Sequence, residues 1–165
     1  MNLKELTIKY DVDALELGYT QHYDQLLSDV TNDFTKVLEI GVETGRSHRL
    51  WLEYFPNATV YGYDIFEFGY DELQRLQKGN PFLDRSVMFK GDQSNVEDLD
   101  RFKSEHGADF DIIIDDGGHT MEQMQVSLNH LWDSVKSGGI YVIEDLHSCS
   151  GQWPTLYGYE VIQRG

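Results

Sequence analysis

The sequence predicts an α/β domain, with a mostly parallel sheet and helices packed on both of its faces. Three observations carry that reading. From about residue 36, short apolar runs alternate with longer amphipathic segments. The run Asp111–Asp115, with Ile112, Ile113 and Ile114 at its centre, is apolar on both faces, as a strand inside a parallel sheet must be. Finally, every predicted strand brings an acid to its carboxyl end, in the order Glu39-Ile40-Gly41, Asp64, Gly91-Asp92, Asp115-Asp116 and Glu144-Asp145.

The elements follow in chain order. Lys36–Ile40 reads as the first strand, ended by Gly41, and Ser47–Tyr54 as a helix that closes before Pro56. Thr59–Asp64 is the second strand, and Asp71–Lys78 a helix ended by Gly79. Val87–Lys90 is a third, shorter strand, and Asn95–Glu105 a polar helix with Asn95 as its cap. After the fourth strand, Met121, Met124, Leu128, Leu131 and Val135 fall at helical spacing and predict a helix of roughly four turns. Lys136-Ser137-Gly138-Gly139 ends it, and Ile140–Glu144 is the fifth strand.

A chain of 165 residues is one domain, enough to bury roughly 70% of the surface the unfolded chain exposes. We expect an N-terminal helical or cap segment over 1–35, a cofactor-binding core over 36–147 and a short tail over 148–165. The 13 Lys and Arg against 29 Asp and Glu give a net charge of −16. That balance argues against nucleic-acid or anionic-membrane partners, which need clustered cations. The single cysteine, Cys149, excludes an internal disulfide, and no base-and-orienter pattern marks it as a nucleophile. The apolar runs are too short to span a bilayer, and MNLKELTIKY lacks a secretory pattern, so the expectation is a cytoplasmic protein.

Ligands of such sheets sit outside the carboxyl ends of the strands. There, Gly41-Val42-Glu43-Thr44-Gly45-Arg46-Ser47 resembles a dinucleotide loop but carries Glu43 where the second glycine belongs. A carboxylate at that point repels a diphosphate, which disfavours an NAD-dependent dehydrogenase and suits a nucleoside bearing a positive centre. Asp64, nineteen residues after Gly45, is spaced to accept the hydroxyls of a ribose. Asp115-Asp116-Gly117-Gly118 is equally what a plain turn with Asp116 capping the next helix looks like, and Asp145 is open to the same reading as a cap. His147 is a second candidate base or a surface residue, and His22, His48, His106 and His130 read as structural or solvated. Trp132, Met121 and Met124 read as core.

The stretches VLEIGVETGRS, WLEYFPNATVYGYDIF, GDQSN, FDIIIDDGGHTMEQMQVSLNHLW and SGGIYVIEDLH carry a resemblance. The first resembles the opening motif of class I S-adenosylmethionine-dependent methyltransferases. Together they resemble the metal-dependent sugar O-methyltransferases of macrolide biosynthesis, the mycinamicin and tylosin type, over about two-thirds of the chain. Lys9-Tyr10 and Gly18-Tyr19-Thr20-Gln21-His22-Tyr23 are a looser echo of a segment that often precedes the first strand in these enzymes. The resemblance implies that Glu39, Gly41 and Gly45 shape the pocket for the methionine part of the cofactor. Asp64 would hold the ribose, Asp92 and Gln93 would lie near the adenine, and Asp115 near the sulfonium end. Asp116, Glu144 and Asp145 would ligate a divalent metal, and His119 would be the general base.

Elementary chemistry agrees with those implied roles. Methyl transfer from a sulfonium is an in-line displacement that needs a good nucleophile held in line. A sugar hydroxyl is a poor one, so a hard cation on its oxygen and a base within reach both help. Three carboxylates without a thiolate suit Mg²⁺ over zinc. Glu144 and Asp145 are consecutive, so turning both toward one ion requires an irregular backbone.

The acceptor implied is a small-molecule hydroxyl, a sugar or secondary metabolite; no particular macrolide is implied, because an additional N-terminal domain of the macrolide enzymes has no counterpart here. Only 21 residues follow Glu144, too few for the helix and antiparallel strand pair that usually end this fold. Either the chain is a fragment, or a minimal enzyme that covers its exposed sheet edge with a second copy as a homodimer. A non-catalytic S-adenosylmethionine- or nucleoside-binding module, or a partner subunit, is the alternative to an enzyme.

Overall fold

A computed structural model describes residues 1–12, 19–146 and 160–165. Its centre is a six-stranded sheet of β1 (Lys36–Ile40), β2 (Thr59–Asp64), β3 (Ser86–Lys90), β4 (Phe110–Asp115), β5 (Val135–Ile143) and β6 (Glu160–Gln163). The strands lie in the order β3-β2-β1-β4-β5-β6. The first five are parallel to their neighbours, and β6 runs antiparallel to β5. The chain therefore builds outward from β1 in one direction and returns to build from β4 in the other, so β1 and β4 flank the switch point.

Alternation along the strands sorts the core into two layers. Val37, Val60, Ile112, Ile114 and Val142 face one side, where they meet Leu6 of α1 (Leu3–Tyr10), Leu27 of α2 (Tyr19–Leu27) and Trp51 of α3 (Arg46–Tyr54). Leu38, Ile40, Tyr63, Ile113 and Tyr141 face the other. They pack against Leu99 and Phe102 of α5 (Val96–His106) and against Met124 and Leu131 of α6 (Met121–Leu131). Each fully buried Leu or Phe of these layers contributes about 1.5–3 kcal/mol of transfer free energy. The remaining helix, α4 (Tyr70–Lys78), buries Leu73. Asn95 caps α5 as expected, its side chain accepting from the Glu97 N–H at 2.9 Å.

The structure departs from the sequence reading in four places. The helix expected to reach Val135 ends at Leu131, and a 3-10 turn over Trp132–Ser134 leads into a strand that already includes Val135. Val135 satisfied the helical spacing, but it is buried as a strand residue paired with Phe110. Met121 starts α6 and is 37% exposed, so it is not core, whereas Met124 is buried. Thr120, not Asp116, caps α6, accepting from the Gln123 N–H. Lastly, β6 pairs along β5, so the sheet edge on which the expectation of a second subunit rested is occupied. His147, Cys149 and the aromatic stretch 151–159 lie outside the described residues.

At the amino end of the sheet, the buried Asp111 carboxylate accepts from the backbone N–H of Thr35 at 2.6 Å and of Lys36 at 2.8 Å, and from the Lys136 ammonium. Burial opposes its charge, but those donors outweigh the burial and hold the carboxyl below the usual aspartate range. The resulting stabilisation is complete above the pH where an unfolded aspartate titrates, about 3.9, and is lost as pH falls through the lower folded value. Asp111→Asn is expected to cost about 1–3 kcal/mol at neutral pH and to flatten the acid limb of the stability–pH profile, as followed by urea denaturation. An unchanged acid limb would show that Asp111 does not carry this linkage.

Candidate active site

The carboxyl ends of the parallel strands open on a cleft of about 790 Å³ at the switch point, within the range of small-molecule sites. Two loops meet at its base. The Asp116 N–H donates to the Ile40 carbonyl at 2.9 Å, and the Glu144 N–H to the Asp115 carbonyl at 2.9 Å, so the strand ends stay in register past the sheet. Gly41 has φ 89°, and a Cβ there would overlap the carbonyl of Asp116. Only glycine lets the two backbones approach so closely.

The glycine loop is held from β2. Asp64 Oδ2 accepts from the Val42 N–H at 2.7 Å and the Glu43 N–H at 2.9 Å, while Oδ1 accepts from the Phe66 N–H. In a dinucleotide site these loop N–H groups face a pyrophosphate. Here a carboxylate has taken them. Glu43 itself sits at φ 47°, the left-handed conformation that explains why glycine is common at its position.

On the β3 side, Asp92 Oδ1 accepts from the Ser94 N–H at 2.8 Å and its hydroxyl at 2.7 Å, shaping the turn that presents Gln93. Gln93 is a clamp: its carbonyl oxygen accepts from the Gly118 N–H, and its Nε2 donates to Asp115 at 3.0 Å. Asp115 is buried beneath the rim, where the Ser127 and Tyr141 hydroxyls also donate to it. Burial raises the Asp115 carboxyl above the usual aspartate range, and those hydrogen bonds offset only part of the rise.

Beyond the Gly117-Gly118 turn, Asp116, His119 and Asp145 converge. Each offers one donor atom, and those atoms all lie within 4.8 Å of one another. His119 Nε2 stands 3.7 Å from Asp145 Oδ2. The backbone is irregular after β5, with Asp145 at φ 54°, but it does not bring both consecutive acids into the cluster. It turns Asp145 into the cleft and leaves Glu144 buried on the α2 side, where the Tyr23 hydroxyl donates to it. Tyr19, one turn earlier on α2, donates to Asp145 Oδ1 at 2.8 Å. Burial and the neighbouring carboxylates push both phenols above their usual range.

Of the residues singled out in the sequence, Gly41, Asp64, Asp92, Gln93, Asp116, His119 and Asp145 line the cleft. Glu39, Gly45, Asp115 and Glu144 stand behind it. Alternation along β1 puts Glu39 on the α3 face, where it meets His48 Nδ1 at 2.9 Å, and His48 Nε2 lies 3.0 Å from the Ser86 hydroxyl. Gly45 starts α3 at φ 81°, where a Cβ would overlap Leu73. The residues that sequence reasoning missed are the hydroxyls that hold these acids: Tyr19, Tyr23, Ser127 and Tyr141. A Tyr-x-x-x-Tyr spacing was visible before the first strand, but nothing local linked it to acids more than 120 residues away.

Seven carboxylates line the cleft (Asp11, Glu43, Asp64, Glu67, Asp92, Asp116 and Asp145), and among the described lining residues Arg46 is the one Lys or Arg. Arg46 is already paired with Asp11 at 2.7 Å and Glu72 at 3.1 Å. The field therefore favours positively charged guests. Two carboxylate oxygens and a ring nitrogen in so small a span are a fitting donor set for one divalent cation, and a hard one by the preponderance of oxygen.

Sheet order and switch-point cleft together define a Rossmann-like domain of the class I methyltransferase kind. The chain belongs to the family described as "Methyltransferase domain", whose sequence model matches residues 38–146. It is 35% identical to mycinamicin VI 2''-O-methyltransferase of Micromonospora griseorubida, over 95% of this chain and 38% of that protein. It is 34% identical to demethylmacrocin O-methyltransferase of Streptomyces fradiae, over 85% of this chain and 34% of that protein. The solved MycE methyltransferase from the mycinamycin biosynthetic pathway, in complex with Mg and SAH, superposes with a TM-score of 0.76 at 34% identity, covering 90% of this chain and 38% of that one. The chain thus spans well under half the length of these relatives.

The contact between the two loops yields a direct expectation. Gly41→Ala combines left-handed backbone strain of about 1–3 kcal/mol with a clash against Asp116. It should lower the thermal midpoint measured by circular dichroism, and a midpoint equal to wild type would refute the packing described.

Proposed function

We propose that this domain transfers a methyl group from S-adenosylmethionine to a sugar hydroxyl of a small natural product, with a divalent metal at the acceptor. The observation that carries the reading is the convergence of Asp116, His119 and Asp145 on the cleft that the glycine loop also lines. In this reading S-adenosylmethionine supplies an electrophilic methyl on a sulfonium, a cation that suits a cleft walled by carboxylates. Its nucleoside carries no phosphate, which matches a loop whose N–H groups are already taken by Asp64.

Asp64 lines the cleft and is assigned the ribose hydroxyls, with Gly41 opening the wall beside it for the methionine part. Asp92 and Gln93 border the adenine end. Asp115 acts from beneath, fixing Gln93 so that the Gly117-Gly118 turn keeps its place.

Asp116 and Asp145 are the cleft-facing residues that would hold Mg²⁺, while Glu144, the third acid of the expected set, stands behind them with the Tyr23 hydroxyl on its carboxylate. A divalent ion held there supplies positive charge that makes an acceptor hydroxyl more acidic. His119 is given the base's role rather than a ligand's, because Mg²⁺ prefers oxygen and the imidazole faces the cleft beside Asp145. It takes the hydroxyl proton as the oxygen–methyl bond forms and the carbon–sulfur electron pair returns to sulfur. Asp145, 3.7 Å away, stabilises the imidazolium that results.

Release of S-adenosylhomocysteine, with a panel of O-glycosides as acceptors, tests this. Turnover is expected with Mg²⁺ and none with excess EDTA. His119→Ala should lower kcat by about 10²–10⁴-fold with cofactor affinity retained. Activity equal to wild type would remove His119 as the base. Separately, Asp64→Ala should weaken S-adenosylmethionine binding in calorimetry, and an unchanged affinity would sink the ribose assignment.

A further inference from the structure

The match to the methyltransferase family begins at residue 38, yet two side chains that hold the acids of the site come from α2, at residues 19–27. Tyr19 and Tyr23 are four apart, so they share one helix face, and both are buried. The Tyr23 ring is fixed edge-on against Trp51 of α3, with centroids 5.2 Å apart. Helix α2 is therefore seated by the same apolar layer that packs the sheet, and its hydroxyls arrive at the rim in a set orientation. A phenol is a hydrogen-bond donor at neutral pH, and a carboxylate has two oxygens to offer. Tyr19 takes Oδ1 of Asp145 at 2.8 Å, and the oxygen that faces His119, 3.7 Å from its Nε2, is Oδ2. Tyr23 takes Oε1 of Glu144.

We infer that Tyr19 and Tyr23 are positioning residues for the metal: they fix which carboxylate oxygens of Asp145 and Glu144 are presented, so the segment before the first strand is part of the active site. This rests on the metal-site reading above. Asp145 lies past the last residue of β5 on a left-handed backbone, and the Tyr19 hydroxyl ties its Oδ1 to α2. The phenol orders the carboxylate ahead of an ion's arrival, so less ordering remains to be done at the moment of binding. Partners of this kind, hydrogen-bonded to metal ligands, are typically worth 10–100-fold in metal affinity.

The test is Mn²⁺ binding, followed by electron paramagnetic resonance of the unbound ion, in wild type, Tyr19→Phe, Tyr23→Phe and Asp116→Ala. Melting temperature and S-adenosylmethionine affinity are measured on the same preparations. Tyr19→Phe keeps the ring and loses only the hydroxyl, so a purely structural tyrosine would leave Mn²⁺ binding unmoved. The expected result is Mn²⁺ binding weakened about 10–100-fold with the fold retained and cofactor affinity unchanged. Wild-type Mn²⁺ affinity in Tyr19→Phe would overturn the inference. Should Tyr23→Phe fail to fold, Tyr19→Phe decides alone. Absence of Mn²⁺ binding in wild type, or unaltered binding in Asp116→Ala, would overturn the metal reading itself, and the inference with it.

Discussion

Carboxylates crowded at the ends of parallel strands repel one another. Two unit charges 5 Å apart interact by about 3 kcal/mol at an effective dielectric near 20, and this rim gathers an acid from each of five strands. Such a rim is tolerable only if each acid is held by donors or meets a cation. The local architecture follows from that requirement. Asp64 is held by loop N–H groups, Asp92 by its own turn, Asp115 by a glutamine and two hydroxyls, Glu144 and Asp145 by the phenols of α2. Each of these bonds also ties one loop or helix to another, so neutralising the repulsion and positioning the cleft are the same act.

The donors also divide the acids by task. Glu39 and Asp115 are turned into the two layers of the core and fasten α3, the β3–α5 loop and α6 to the sheet. Asp64, Asp116 and Asp145 reach the cleft. What they leave there is a surplus of negative charge at a switch point whose loop N–H groups no longer face outward. That combination disfavours a diphosphate and suits a nucleoside with a cationic centre, alongside a divalent ion. The methyl transfer proposed above uses both.

Much of this was legible in the sequence. The unbroken run of Ile112, Ile113 and Ile114 marked a buried parallel strand, and the recurring acids marked the rim on which the cleft opens. Glu43 in the glycine loop already argued against a dinucleotide phosphate site, and the structure adds that Asp64 accepts from two of the loop's N–H groups. The failures have physical causes. Strand alternation decides which face a residue takes, so Glu39 went to His48 and Glu144 to Tyr23 although each neighbours a cleft residue. Val135 fits a helical period and a strand equally well, and only its pairing with Phe110 selects the strand. The residues after 147 carry no period that announces β6, because a short edge strand is specified by its partner β5 more than by itself.

The most direct measurement is calorimetric titration with S-adenosylmethionine, beside NAD⁺ as a diphosphate-bearing nucleotide. A cleft walled by carboxylates, with its loop N–H groups already occupied, gives a binding heat for the sulfonium cofactor and none for NAD⁺. Saturable binding of NAD⁺, or the absence of any heat with S-adenosylmethionine, would contradict a cleft built to select a phosphate-free cation.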